Sequence, residues 1–172
     1  MGLGGIEHLR SGVALPPVTL IATDGTSFCA AERTGRSVIA IYPWTGRPGV
    51  PNPPGWDDIP GAHGSTPELE GFRDLFQCFK EYGTRVFGLS GQDTDHQCEA
   101  VERLRLPFTL LSDADGAFAN ALHLPSFATG GQTYLRRLTL AVRDGHIERV
   151  FHPVPDPARH AAEVLNWLEG QV

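Results

Sequence analysis

Apolar residues along the chain form either short continuous runs, which predict buried strands, or spaced rows, which predict amphipathic helices. The run Ser37–Tyr42 is almost entirely apolar and rich in β-branched residues, as is typical of a strand buried on both faces. Thr84–Leu89 and Phe108–Leu111 predict two further buried strands. Between these two, apolar spacing predicts a helix from about Thr94 to Leu104. Strand and helix therefore alternate through the middle of the chain.

Two Asp-Gly pairs predict tight reversals between neighbouring strands. Asp24-Gly25 follows the apolar run Val18–Ala22, so a β-hairpin opens the domain. Asp144-Gly145 separates two later apolar runs and predicts a second hairpin. The strands of that second hairpin are predicted over Leu138–Val142 and His146–Phe151. Two further helices are predicted, one over Ala117–Leu122 and one after Asp156-Pro157.

A further helix is predicted to begin at Ser65. Ser65 and Glu68 have the spacing of a capping box, and Pro67 suits the first helical turn. Gly83 is placed to end the helix. Apolar residues recur every three or four positions and predict a core-facing side made of Leu69, Phe72, Phe76 and Phe79.

The segment that precedes this helix is a long loop. Residues 43–60 include six of the fourteen prolines of the chain, a composition that excludes a helix and a central strand. Loops of this length are uncommon in compact domains and are often functional. The order of elements predicts an α/β protein with a thioredoxin-like fold, in which a mixed central sheet carries helices on both faces. A length of 172 residues predicts a single domain over 1–172.

Charge and composition exclude several classes of partner. Fourteen Lys and Arg against twenty Asp and Glu give a net charge of −6, which disfavours binding to nucleic acid or to an anionic membrane. Because no apolar run approaches 18 residues and the start lacks an export signal, we expect a cytoplasmic protein without a membrane span. The three cysteines and seven histidines show no metal-ligand spacing, so no metal is expected.

Two segments, Tyr42–Thr45 and Gly64–Asp74, resemble the active-site region of the peroxiredoxins, and in particular their bacterioferritin-comigratory or Q-type branch. The resemblance covers roughly residues 15–170 and continues in order through Gly88–Ser90, Leu106–Phe108, Leu111–Asp113, Arg136–Leu140 and Asp144-Gly145. It implies a thiol-dependent peroxidase that reduces hydrogen peroxide or organic hydroperoxides without a bound cofactor. It also implies a Pro/Gly-rich loop insertion at about residues 44–63.

The chain departs from this pattern at the reacting position, because Ser65 stands where the family has its peroxidatic cysteine. A helix N-terminus and an arginine can ionise a thiol but not a serine hydroxyl, and only sulfur can form a sulfenic acid. The Ser65 form is therefore predicted to be inactive. Ser65 is explained either by an engineered replacement, which we favour, or by a natural, redox-inactive homologue. In the second case the protein is an interaction or regulatory module, with the loop as its partner surface.

The resemblance also implies roles for other residues. Pro43 and Thr45 match the proline and threonine that shield the thiolate and hold the peroxide, although the spacing between them differs from the family's. Arg136 or the adjacent Arg137 matches the arginine that lowers the pKa of the thiol. Since neighbouring residues in a strand face opposite sides, only one of the two can reach the site, and we predict Arg136.

Cys98 matches the position of a resolving cysteine in the helix after the peroxidatic one. The alternative for Cys98 is simple packing, since free cysteines are commonly buried. The implied partners are a peroxide substrate and an external dithiol reductant such as a thioredoxin or glutaredoxin. A homodimer is compatible with the chain, but the sequence does not establish the oligomeric state. A thioredoxin-like disulfide reductase is disfavoured because no CxxC occurs.

Overall fold

A seven-stranded mixed sheet organises the protein in the computed structural model, which describes residues 5–171. Residues 1–4, which are part of the segment on which the expectation of no export signal depends, lie outside the residues that the structure describes. The strands are β1 (Thr19–Ala22), β2 (Ser27–Cys29), β3 (Arg36–Ile41), β4 (Thr84–Ser90), β5 (Leu110–Ser112), β6 (Ser126–Thr129), β7 (Gln132–Leu135), β8 (Leu138–Arg143) and β9 (His146–Phe151). The helices are α1 (Ser65–Asp74), α2 (Phe76–Glu81), α3 (Thr94–Leu104), α4 (Ala117–Leu122) and α5 (Pro157–Glu169).

The sheet has the order β2-β1-β5-β4-β3-β8-β9. Strands β3, β4 and β5 are parallel, whereas β1 and β8 flank them in the antiparallel direction. Strands β6 and β7 form a separate hairpin, which the sequence reasoning missed although its turn contains Gly130-Gly131. The mixed sheet of the predicted α/β fold is confirmed.

Alternation along β3 divides the core between the two faces of the sheet. Val38 and Ala40 point to one face and Ile39 and Ile41 to the other, as the two-residue repeat of a strand requires. The first face is covered by side chains of α1, α2, α3 and α5, and the second by α4 and the N-terminal segment. Helices on both faces are therefore confirmed.

The predicted helix from Ser65 to Gly83 is two helices, because the backbone breaks at Leu75 between α1 and α2. The predicted capping box is wrong. Gly64, with a φ of 110°, occupies the position before the helix, and Ser65 is already the first helical residue. A Cβ at Gly64 would approach Pro157 of α5 to 2.6 Å, so both the backbone conformation and the packing require glycine.

The long loop contains only a short 3-10 turn, Trp56–Asp58. Trp56 is buried, and its ring lies 5.5 Å from that of Trp44 and 5.1 Å from that of Tyr134 in β7. The Thr129 hydroxyl in the same hairpin donates to the Pro54 carbonyl. The β6–β7 hairpin therefore holds the loop against the domain.

Candidate active site

Ser65 begins α1 beyond the carboxyl end of β3, where open α/β sheets place their sites. Its side chain is buried, and its hydroxyl has no hydrogen-bond partner among the described residues. The first turn of a helix leaves backbone N–H groups unpaired and favours negative charge. The atom at the end of this side chain therefore lies where an anion would be stabilised.

Arg137 binds the chain immediately before Ser65. Its Nη2 donates to the carbonyls of Gly61, Ala62 and His63 at 3.1, 3.1 and 3.0 Å. The Arg137 side chain is only 2% exposed. A buried guanidinium thus fixes the loop that leads into α1 and adds positive charge beside its N-terminus.

Glu68 completes this cluster from one turn further along α1. Its Oε1 accepts a hydrogen bond from Nη1 of Arg137 at 3.0 Å, whereas Oε2 has no partner. Complete burial raises the pKa of Glu68 to about 7, and the positive charge of Arg137 opposes that rise. The carboxyl group therefore anchors Arg137 from within the core. The sequence placed Glu68 three residues after Ser65, but we interpreted the spacing as a cap.

We predicted Arg136 as the arginine that faces Ser65, but Arg137 makes the contacts to the loop before Ser65. The Arg136 guanidinium lies 5.4 Å from the centre of the Phe127 ring, whereas Arg137 makes the contacts to Glu68 and to the loop. The two residues lie in the link between β7 and β8, where adjacent side chains diverge. Both border a cavity of about 610 Å³ beside His63.

Thr45 belongs to a different hydrogen-bonded cluster. Its backbone N–H and its hydroxyl both donate to Oε1 of Gln92 at 3.1 Å, and its carbonyl accepts from His96. No described hydrogen bond joins Thr45 to Ser65. Pro43 borders a separate cavity of about 420 Å³ with Gln92 and His96. The peroxide-binding role of Thr45 and the shielding role of Pro43 stay predictions.

Cys98 is exposed on α3, and its Sγ lies 3.6 Å from the carbonyl oxygen of Thr23. The packing alternative for Cys98 is therefore wrong, and its thiol is available to a reactant. Cys29 and Cys78 are partly buried, and Cys78 packs against the core beneath α1. All three cysteines are free thiols.

A second buried polar pair lies between β8 and α5. Nε2 of His160 and Oγ1 of Thr139 are 2.7 Å apart, and Thr139 follows Arg137 by two residues. Burial, reinforced by the charge of Arg137, lowers the pKa of His160 to about 4. A neutral imidazole therefore supports the α1–α5 contact behind the Ser65 cluster. The sequence reasoning missed it because His160 appeared as one of several scattered histidines.

Within residues 5–171 no group of three or more His, Cys, Asp or Glu side chains is arranged to hold a metal ion. In that same part of the chain, no helix has the length and apolar character needed to cross a membrane.

The family model described as Redoxin matches residues 10–165. Chloroplastic peroxiredoxin Q from Oryza sativa subsp. japonica is 30% identical over 166 residues, which cover 94% of this chain and 67% of the relative. Chloroplastic peroxiredoxin Q from Gentiana triflora is 29% identical over 166 residues, which cover 94% of this chain and 67% of the relative.

Solved structures show the same fold. A crystal structure of the peroxidoxin BcpB from Mycobacterium tuberculosis has a TM-score of 0.76 and 24% identity, and the match covers 95% of this chain and 98% of that one. A mutant of PrxQ from Xylella fastidiosa, in which a cysteine is replaced by serine, has a TM-score of 0.78 and 22% identity, with shares of 96% and 98%. The matched length and the order of the motifs together place this chain in the redoxin family, in its peroxiredoxin Q branch.

Proposed function

We propose that this protein is a thiol-dependent peroxidase whose reacting atom belongs to residue 65, and that the form with Ser65 is catalytically inactive. The observation that carries the proposal is the placement of Ser65. Its buried, unpartnered hydroxyl lies at the N-terminus of α1, next to the loop that Arg137 holds. A thiolate at this point gains from the free N–H groups and from the guanidinium charge.

With a cysteine at position 65, the thiolate sulfur attacks one oxygen of the peroxide O–O bond. The bond breaks, sulfur becomes a sulfenic acid, and the other oxygen leaves as an alkoxide or hydroxide that takes a proton. The thiol of Cys98 then attacks the sulfenic sulfur, which forms a disulfide and releases water. An external dithiol reduces this disulfide and restores both thiols.

Ser65 cannot start this sequence, because its hydroxyl remains protonated and its oxygen cannot be oxidised in this way. An engineered replacement and a natural serine predict different codons at position 65 of the natural gene. A cysteine codon at position 65 supports the first explanation, and a serine codon supports the second. The cytoplasm stays our proposal for the location, since the chloroplastic label belongs to the plant relatives.

Ser65→Cys tests the peroxidase proposal directly. We expect no turnover of hydrogen peroxide or an alkyl hydroperoxide by the Ser65 form with a dithiol reductant, and measurable turnover by the variant in stopped-flow assays. Ser65→Ala is the matched control, because it keeps the fold without a nucleophile. Turnover by the Ser65 form, or none by a folded Ser65→Cys protein, would contradict the assignment.

One observation favours a second function, that of a redox-inactive interaction module. That observation is Ser65 itself, since a serine at this position cannot form a sulfenic acid. A serine codon together with an inactive Ser65→Cys protein would support this function. A homodimer, if formed, would be seen by analytical ultracentrifugation.

A further inference from the structure

A second cavity, of about 680 Å³, lies at the end of the sheet opposite to Ser65. It is lined by the start of β4, including Thr84, and by Thr109 just before β5. Strand β3 pairs in parallel with β4 from Arg36 opposite Thr84. At its other end, Ile41 lies opposite Leu138, which follows the arginine that binds the loop before Ser65. Arg36 and Ile41 are five steps of about 3.3 Å apart along β3, which separates the two ends by about 17 Å. The cavity is therefore independent of the proposed peroxidase site.

Two aromatic pairs form the apolar part of the cavity wall. The rings of Phe28 and Phe87 have their centres 4.7 Å apart, and those of Phe76 and Phe108 are 6.3 Å apart. Phe28 and Phe87 belong to the core on one face of the sheet, and Phe108 to the core on the other. Aromatic walls of this kind bind flat organic groups.

Three cations, Arg33, Lys80 and Arg85, border the same cavity. None of them forms an ion pair with any carboxylate in residues 5–171, although the whole chain carries a net charge of −6. The acidic residue of the lining, Asp24, accepts hydrogen bonds from the backbone and hydroxyl of Thr26. The lining therefore has excess positive charge.

Arg33 links the charged and aromatic parts of the cavity. Its guanidinium carbon lies 5.1 Å from the centre of the Phe28 ring and 5.2 Å from that of Phe87. Burial lowers the pKa of Arg33, and repulsion from Arg85 lowers it further. Two guanidinium groups that repel each other without a protein carboxylate between them gain from a bound anion.

We propose that this cavity binds a planar aromatic anion, in which a ring lies against Phe76 and Phe108 and a phosphate or carboxylate group meets Arg33 and Arg85. The volume suits a ligand of up to mononucleotide size. Lys80, from α2, adds a third donor at the rim.

Isothermal titration calorimetry at low ionic strength tests the proposal with AMP, 2-naphthoate, adenosine and inorganic phosphate as probes. We expect AMP or 2-naphthoate to bind at least tenfold more tightly than adenosine or phosphate alone. Tighter binding of AMP would identify a phosphate ligand, and tighter binding of 2-naphthoate a carboxylate ligand. Arg33→Gln and Arg85→Gln should each weaken binding about tenfold, since each removes a charge-assisted hydrogen bond.

Arg10→Gln is the matched control, because Arg10 is exposed and does not line the cavity. We expect it to bind like the parent protein. Arg85 is itself exposed, so its replacement leaves the fold intact even if Arg33→Gln does not fold. No binding of either aromatic anion, equal binding of adenosine, or unchanged binding in Arg85→Gln would overturn the proposal.

Discussion

The structure predicts that acid lowers the free energy of unfolding through protonation of His160. His160 lies on the buried side of α5, where its Nε2 is hydrogen-bonded to Oγ1 of Thr139 at 2.7 Å and the rings of Phe72 and Phe151 pack against it. Nδ1 has no hydrogen-bond partner, and the carboxylate of Glu163 lies 3.9 Å from it. Protonation at this position would bury a charge in the contact between α1 and α5, and the half-exposed Glu163 carboxylate offsets only part of that cost. Folding therefore favours the neutral ring.

The pKa of His160 falls from 6.5 in the unfolded chain to about 4 in the folded one. The unfolded state therefore binds more protons between these values, and the free energy of unfolding decreases as the pH falls through this window. The contribution is fully present above pH 6.5 and is lost below pH 4. The shift corresponds to about 3 kcal/mol in total, of which about 2 kcal/mol is lost by pH 5.

Urea unfolding at pH 7.5 and pH 5.0 measures this effect when the parent is compared with His160→Gln. Because glutamine does not titrate, the parent should lose about 2 kcal/mol more than the variant over this interval. His146→Gln, at the exposed first residue of β9, is the matched control. An identical pH dependence in the parent and His160→Gln would refute the assignment of a buried neutral imidazole.

Two predictions concern the Ser65→Cys background. Arg137→Gln should raise the pKa of the introduced thiol, measured by its ultraviolet absorbance, and slow peroxide reduction about tenfold or more, while Arg137→Lys retains part of the rate. If Arg136→Gln has these effects and Arg137→Gln does not, the assignment of the role to Arg137 is wrong. One equivalent of peroxide should link residue 65 to Cys98, as peptide mapping would show. The disulfide needs the two Cα atoms within about 7 Å of each other, and a stable sulfenic acid or an intermolecular bond would contradict the role of Cys98.

Local patterns in the sequence determined most of the secondary structure. Ser37–Tyr42 and Thr84–Leu89 predicted buried strands that the structure contains as β3 and β4, because uninterrupted β-branched runs suit a strand covered on both faces. Helix α3 has the predicted bounds Thr94–Leu104. The hairpin β6–β7 was missed because most of its side chains remain partly exposed and show no apolar alternation.

The site itself depended on contacts between distant parts of the chain. Position 65 was identified through the resemblance of its segment to the peroxiredoxins, and the sequence also predicted that a helix begins there. The choice between Arg136 and Arg137 could not be made from the sequence. It depends on which of the two side chains faces α1 from the link before β8. Arg137 and Glu68 are 69 residues apart and meet only because β8 pairs with β3 while α1 packs across the sheet. Long-range packing, and not local preference, decides which polar groups are buried together, and that burial sets the charge of the site.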